Sequence, residues 1–175
     1  VISWGVRLEL PVADAVWTRD MELEVAPFPG LGIRIDTYDV LNVSAVRVAA
    51  AGQRVTCVVG LEDAAPGPVS AAVAESFGFA PESPETEGIA TGLSAMLVTY
   101  AAEQMWCKQI RLPFAPFAGL QVEVGGHVLS VFSVVVKDRL GDVACTCLAS
   151  FDGEDAAAMT EYECVALGFE ECVYP

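Results

Sequence analysis

Residues 17–35 read WTRDMELEVAPFPGLGIRI, and residues 106–124 read WCKQIRLPFAPFAGLQVEV. At a constant offset Trp17/Trp106, Leu23/Leu112, Ala26/Ala115, Pro27/Pro116, Phe28/Phe117, Gly30/Gly119 and Leu31/Leu120 coincide. The chain contains an internal duplication, and the reading of this stretch decides the fold.

Its alternation is that of a β-hairpin. With the turn centred on Phe28, Met21 faces Ile35, Leu23 faces Ile33 and Val25 faces Leu31, which makes an apolar face of period two. The second copy, centred on Phe117, sets Ile110 against Val124, Leu112 against Val122 and Phe114 against Leu120. On the other face Glu22 falls opposite Arg34 and Arg111 opposite Glu123, an ion pair with its signs exchanged. Pro113 has no backbone N–H, which expects its strand at a sheet edge or its missing donor turned away from a ladder.

Outward from this core, each half carries a first strand (residues 6–10 and 96–100) joined by PVADAV or AAEQM to its tryptophan. The fourth strand of each half slips phase at the same place. Leu41 and Val43 alternate before Val46 and Val48 resume, and Leu129 and Val131 alternate before Val134 and Val136 resume. This predicts β-bulges at Ser44-Ala45 and Phe132-Ser133. Fifth strands follow at 55–59 and 143–148. Pro68 opens a helix through Phe77 that Gly78 stops; the second helix has Asp152 or Asp155 near its start and ends at Gly168. Val69, Val73 and Phe77, and likewise Ala158, Tyr162 and Val165, follow helical spacing and predict the buried faces.

The fold expected from these signals is α+β: an internal duplication of a five-stranded antiparallel β unit plus one C-terminal helix, the two copies packed as a pseudo-twofold fused dimer. Residues 1–80 make the first repeat, 81–91 an acidic Pro-rich linker and 92–175 the second repeat, together one compact domain.

Composition bounds the function. The chain has 175 residues, 54% of them hydrophobic, which is ample for a core. The net charge is −15, so binding to nucleic acid or to an anionic membrane surface is not expected. The longest apolar run, 128–136, is far short of the roughly 18–20 residues that span a bilayer. No basic segment followed by an apolar one opens the chain, so no signal peptide is expected, and the expected location is the cytoplasm. Six cysteines include no CxxC pair, and His127 is the single histidine, so neither a metal site nor a cofactor is expected. Cys57 and Cys145 read as equivalent buried thiols, and Cys164 with Cys172 as the pair best placed for a disulfide.

No catalytic constellation stands out. The halves diverge most between Asp36-Thr37-Tyr38-Asp39 and Gly125-Gly126-His127. An asymmetric pocket is therefore expected there, with Tyr38 or His127 as polar contacts and Trp17 or Trp106 as an apolar wall. The function expected is a non-catalytic module with an apolar pocket for a small apolar molecule or a peptide. The alternative is an acidic interaction or inhibitor protein holding a protein partner, or a second copy of itself, at its acidic face or an exposed sheet edge. An enzyme ranks third, because His and Lys are scarce.

Overall fold

A computed structural model of the chain describes residues 3–36, 39–51, 54–61, 69–81, 92–136, 145–153 and 159–172. Contacts divide the chain into two compact units, Val1–Arg47 with Arg54–Glu87, and Val48–Gln53 with Gly88–Pro175. The first contains β1 (Trp4–Val12), β2 (Ala15–Leu23), β3 (Gly32–Arg34), most of β4 (Val40–Ala49), β5 (Val55–Leu61), the helix α1 (Ala71–Ser76) and β6 (Ala80–Pro81). The second contains β7 (Leu93–Ala101), β8 (Gln104–Leu112), β9 (Leu120–Val124), β10 (His127–Val136), β11 (Cys145–Phe151), the helix α2 (Glu161–Ala166) and β12 (Glu170–Glu171).

Pairing within the first unit follows the order β3-β4-β5-β1-β2-β6, and within the second β9-β10-β11-β7-β8-β12. In both, the fifth strand runs parallel to the first: Leu8 lies across from Cys57, and Leu97 from Cys147. The pairs β1–β2, β2–β6, β3–β4, β7–β8, β8–β12, β9–β10 and β10–β11 are antiparallel. Strand makes up 60% of the described residues and helix 9%. The expected α+β fold of duplicated antiparallel units with C-terminal helices is therefore wrong. The chain is mostly β, its twelve described strands make mixed sheet, and each six-residue helix is followed by a further short strand. The fused-dimer packing falls with it. That packing rested on an antiparallel sheet with one uncovered face, and the parallel pair and sixth strand remove the premise. The equivalence of Cys57 with Cys145 is also corrected, since the register sets Cys57 in the place of Cys147.

The hairpin register is corrected as well. Leu23 pairs with Trp4 and Glu22 with Gly5, while Arg34 pairs with Val40. Arg111 pairs with Ser94, and Glu123 with Val128. β2 and β3 lie at well-separated places in the strand order, so the exchanged charges never face each other. Val25, assigned to the apolar face, is 52% exposed.

The repeated APFxGL motif is a crossover rather than a hairpin loop. Leu31 N–H donates to the Phe28 carbonyl at 3.1 Å, and Gly30 occupies the third turn position with φ +90°. Pro29 and Gly30 thus fill the central places of a type II turn, Gly supplying the positive φ. Gly30 N–H then donates to Val43 O at 2.7 Å, and Gly119 N–H to Val131 O at 2.7 Å. The motif fastens the crossover to the fourth strand of its own unit.

β9–β10 is a hairpin closed at Gly125-Gly126, and β1–β2 and β7–β8 are two more. The two-residue turns of the latter two are Ala13-Asp14 and Ala102-Glu103, between Val12↔Ala15 and Ala101↔Gln104. Ala13, Ala102 and Glu103 have φ of 52°, 49° and 62°, conformations that favour Gly or Asn. No Asn-Gly or Asp-Gly marks these turns in the sequence.

Alternation predicts the core well except past the β10 bulge, where Val134 is half-buried and Val136 is 78% exposed. Val6, Leu8, Leu10 and Val12 are buried on β1, and Leu129 and Val131 on β10. The register of β10 on β11 shifts between Val131 and Ser133, which places the bulge at Phe132, 62% exposed. On β4 the buried positions are Leu41, Val43, Val46 and Val48, the expected change of phase.

Ser70 caps α1 by accepting from the Val73 N–H. Thr160 and Glu163 form a reciprocal capping box on α2. The expected helix faces are displaced. Ala74 and Cys164 are the buried residues, while Val73, Tyr162 and Val165 are exposed. Pro68, Asp155 and Ala158 lie outside the described residues. Among the described residues no helix is long and apolar enough to cross a membrane.

Candidate functional site

Each helix ends on a cation from the second strand of its unit. Arg19 Nη1 donates to the Phe77 carbonyl at 2.6 Å, and Lys108 Nζ to the Leu167 carbonyl at 2.6 Å. The last carbonyls of a helix have no partner within it, and the dipole favours positive charge there. Lys108 also reaches Gly168 O at 3.4 Å and lies 5.8 Å from the centroid of the Phe169 ring. Phe169 packs on Phe151, and the His127 ring meets Phe151 edge-on at 6.3 Å. This cluster fixes the end of α2 beside β8.

At that place the second unit has a cleft of about 610 Å³, lined by Ala50, Ala51, residues 108–111, Val124, Gly125, Ala166 and Leu167. Gly125 has φ +58°, and a side chain there would run into Leu167. The chain's own Leu167 is what comes close to the Gly125-Gly126 turn.

The cleft runs along the edge of β8. β12 covers that edge only at Trp106 and Cys107, opposite Glu171 and Glu170. Cys172 N–H donates to the Met105 carbonyl at 2.8 Å, which shows which backbone groups face outward. In an antiparallel ladder the groups of alternate residues point to the same side. The N–H and C=O of Gln109 and Arg111 therefore face away from β7, and among the described residues no strand pairs with them. Four consecutive residues of open edge, roughly 10 Å at about 3.3 Å per residue, lie in the cleft wall.

The equivalent edge in the first unit differs in charge. Arg19, Asp20 and Glu22 stand where the second unit has Lys108, Gln109 and Arg111. Asp20 is held by Arg7, which is 6% exposed, through Nε–Oδ1 at 2.9 Å and Nη2–Oδ2 at 3.2 Å. The exposed Arg111 makes no ion pair with a described residue.

None of the three described residues expected to form a pocket lines this cleft. Trp106 is buried, and its Nε1 donates to the Ala101 carbonyl at 3.0 Å, tying the strand to its turn. Trp17 is half-buried between Leu10 and Pro81 in the strand pairing. His127 is half-buried against Phe151. Tyr38 lies outside the described residues. Lys108, Gln109 and Arg111 went unread as site residues; the available signal was Pro113, one residue past the end of β8.

All six cysteines are free thiols. Cys164 is fully buried, whereas Cys172 hydrogen-bonds to Cys107, so the expected Cys164–Cys172 pairing does not form. Burial, with that hydrogen bond, pushes the Cys172 thiol up to about 11. Burial pushes Cys57 and Cys147 up to about 12, helped by the charge of Glu9 and by the neighbouring Cys145 respectively. These are thiols held neutral, the opposite of an activated nucleophile.

No family model matches the chain, and no characterised protein or solved structure matches it.

Proposed function

We propose that the chain is a non-catalytic binding module whose second unit takes an extended peptide into the β8 cleft as an added strand. The observation that carries this reading is that no described strand pairs with the backbone of Gln109 and Arg111, which opens into a cleft large enough for a short strand. Main-chain hydrogen bonds to an exposed edge supply affinity in this mode of recognition, and alternate side chains supply specificity. An exposed edge is a liability that proteins commonly cover, charge or shorten. Here β12 is two residues long, and among the described residues no strand continues along the edge inside the groove.

The lining favours a peptide over a small apolar molecule. Ile110, Val124, Ala166 and Leu167 give apolar surface, but Lys108, Gln109, Arg111 and the edge amides bring polar groups along the whole length. An apolar ligand would bury those amides without a partner, which is costly.

The test is backbone amide hydrogen exchange with a set of capped hexapeptides of alternating Val and Thr. Binding at this site slows exchange at the Gln109 and Arg111 amides and leaves those of the first-unit edge, Asp20 and Glu22, unchanged. Protection confined to other strands, or none at all, would refute the reading.

A further inference from the structure

We infer that the segment this edge accepts is acidic, with two carboxylates three residues apart; the inference rests on the reading of the cleft as a strand-addition site. Side chains alternate between the faces of a sheet, so Lys108 and Arg111 lie on opposite faces of β8. Lys108 shares its face with the buried Trp106, Ile110 and Leu112 and reaches the end of α2. Arg111 lies on the outer face, exposed. A strand laid along this edge sets one of its side chains across from each, and those two side chains are also three apart.

Both cations have capacity left. The Lys108 ammonium has three N–H donors, and two carbonyls accept from it. The Arg111 guanidinium can meet a carboxylate with a two-point fork. In the first unit the residue in the place of Arg111 is Glu22, and that of Gln109 is Asp20. The two edges therefore carry opposite sign on their outer faces, and only the second suits an acidic strand.

The net charge of −15 opposes the approach of an acidic peptide. At physiological salt that field is screened beyond about 8 Å, while a cross-strand pair forms at about 5 Å. Near contact the local cations decide.

The test uses three capped Val/Thr hexapeptides with Glu, Gln or Lys at positions two and five, titrated calorimetrically at physiological salt. The Glu peptide binds tightest and the Lys peptide on the order of tenfold more weakly. Arg111→Glu, which leaves Lys108 as the one cation facing the peptide, removes most of that difference. N-methylation of the alternate peptide residues that face β8 abolishes binding, and methylation of the other set does not. Equal affinity for all three peptides overturns the acidic preference and leaves strand addition standing. No binding by any of them, or binding indifferent to methylation, overturns both. Self-association of the protein that Gln109→Pro removes would give the edge to a second copy and overturn the acidic partner.

Discussion

The β1–β2 and β7–β8 turns make opposite predictions for the same substitution. In the turn Ala102-Glu103 both residues are left-handed, whereas in Ala13-Asp14 only Ala13 is. A left-handed L-residue costs about 1–2 kcal/mol, and Gly carries an entropic cost of about 0.5–1 kcal/mol. Glu103→Gly removes the first cost and adds the second, a gain of about 0.5–1 kcal/mol. At about 2–4 °C per kcal/mol for a chain of this size, the melting midpoint rises by about 1–4 °C. Asp14→Gly has no strain to relieve and lowers the midpoint by a similar amount. Ala13→Gly, at the left-handed position, raises it. The assay is thermal unfolding followed by far-UV circular dichroism, all variants at one pH and concentration. Equal shifts for Glu103→Gly and Asp14→Gly would refute the assignment of strain to these turns.

Gly125→Ala forces a side chain toward Leu167 at a positive φ and costs about 1–3 kcal/mol, read as a lower urea midpoint. Gly126→Ala meets no atom and pays for backbone strain alone, so its midpoint falls less. Asp20→Ala leaves the buried Arg7 without its carboxylate and destabilises by about 1–3 kcal/mol, less than a fully buried pair because Asp20 is 67% exposed. Adding Arg7→Met to that variant recovers part of the loss in a double-mutant cycle. The thiols of Cys57 and Cys147 hold their protons more tightly folded than unfolded, about 12 against an ordinary 9. Their contribution is complete below pH 9 and is lost as pH rises from 9 toward 12. Urea midpoints that fall above pH 9 in the parent and fall less in Cys57→Ala are the expected result.

What the sequence made legible was the part governed by local periodicity. Leu8, Leu10, Leu41, Val43 and Leu129 were placed inward by alternation alone, and the bulge at Phe132 by a break in it. The matched stretches located the crossover but misread its partner. Residues 21–25 and 31–35 carry complementary patterns, yet complementarity does not require adjacency. Their true partners are β1, where Met21 meets Val6 and Leu23 meets Trp4, and β4, where Ile33 meets Leu41 and Arg34 meets Val40, both antiparallel neighbours that alternation alone does not single out. The β1–β2 and β7–β8 hairpins were hidden because Ala13, Ala102 and Glu103 occupy places where Gly or Asn would have advertised a turn. The helix faces were displaced because Val73 and Val165, apolar at helical spacing, face solvent while the small Ala74 and Cys164 face the core. The candidate site was legible only through Pro113, since an open edge is a property of what fails to pair and no residue type encodes it.

The open β8 edge also bears on how this chain behaves in a crowded solution. Two molecules that each expose an unsatisfied ladder can extend one another's sheet, and repetition of that step makes fibrils. The charge of −15 at pH 7 sets every encounter between copies against mutual repulsion. That protection is colloidal and belongs to no single contact. It fades as pH falls toward about 4.2, where the charges balance, and as salt screens them. Acidity then acts on the spacing between molecules before it acts on the fold within any one of them, and β-rich association should begin while each copy is still native.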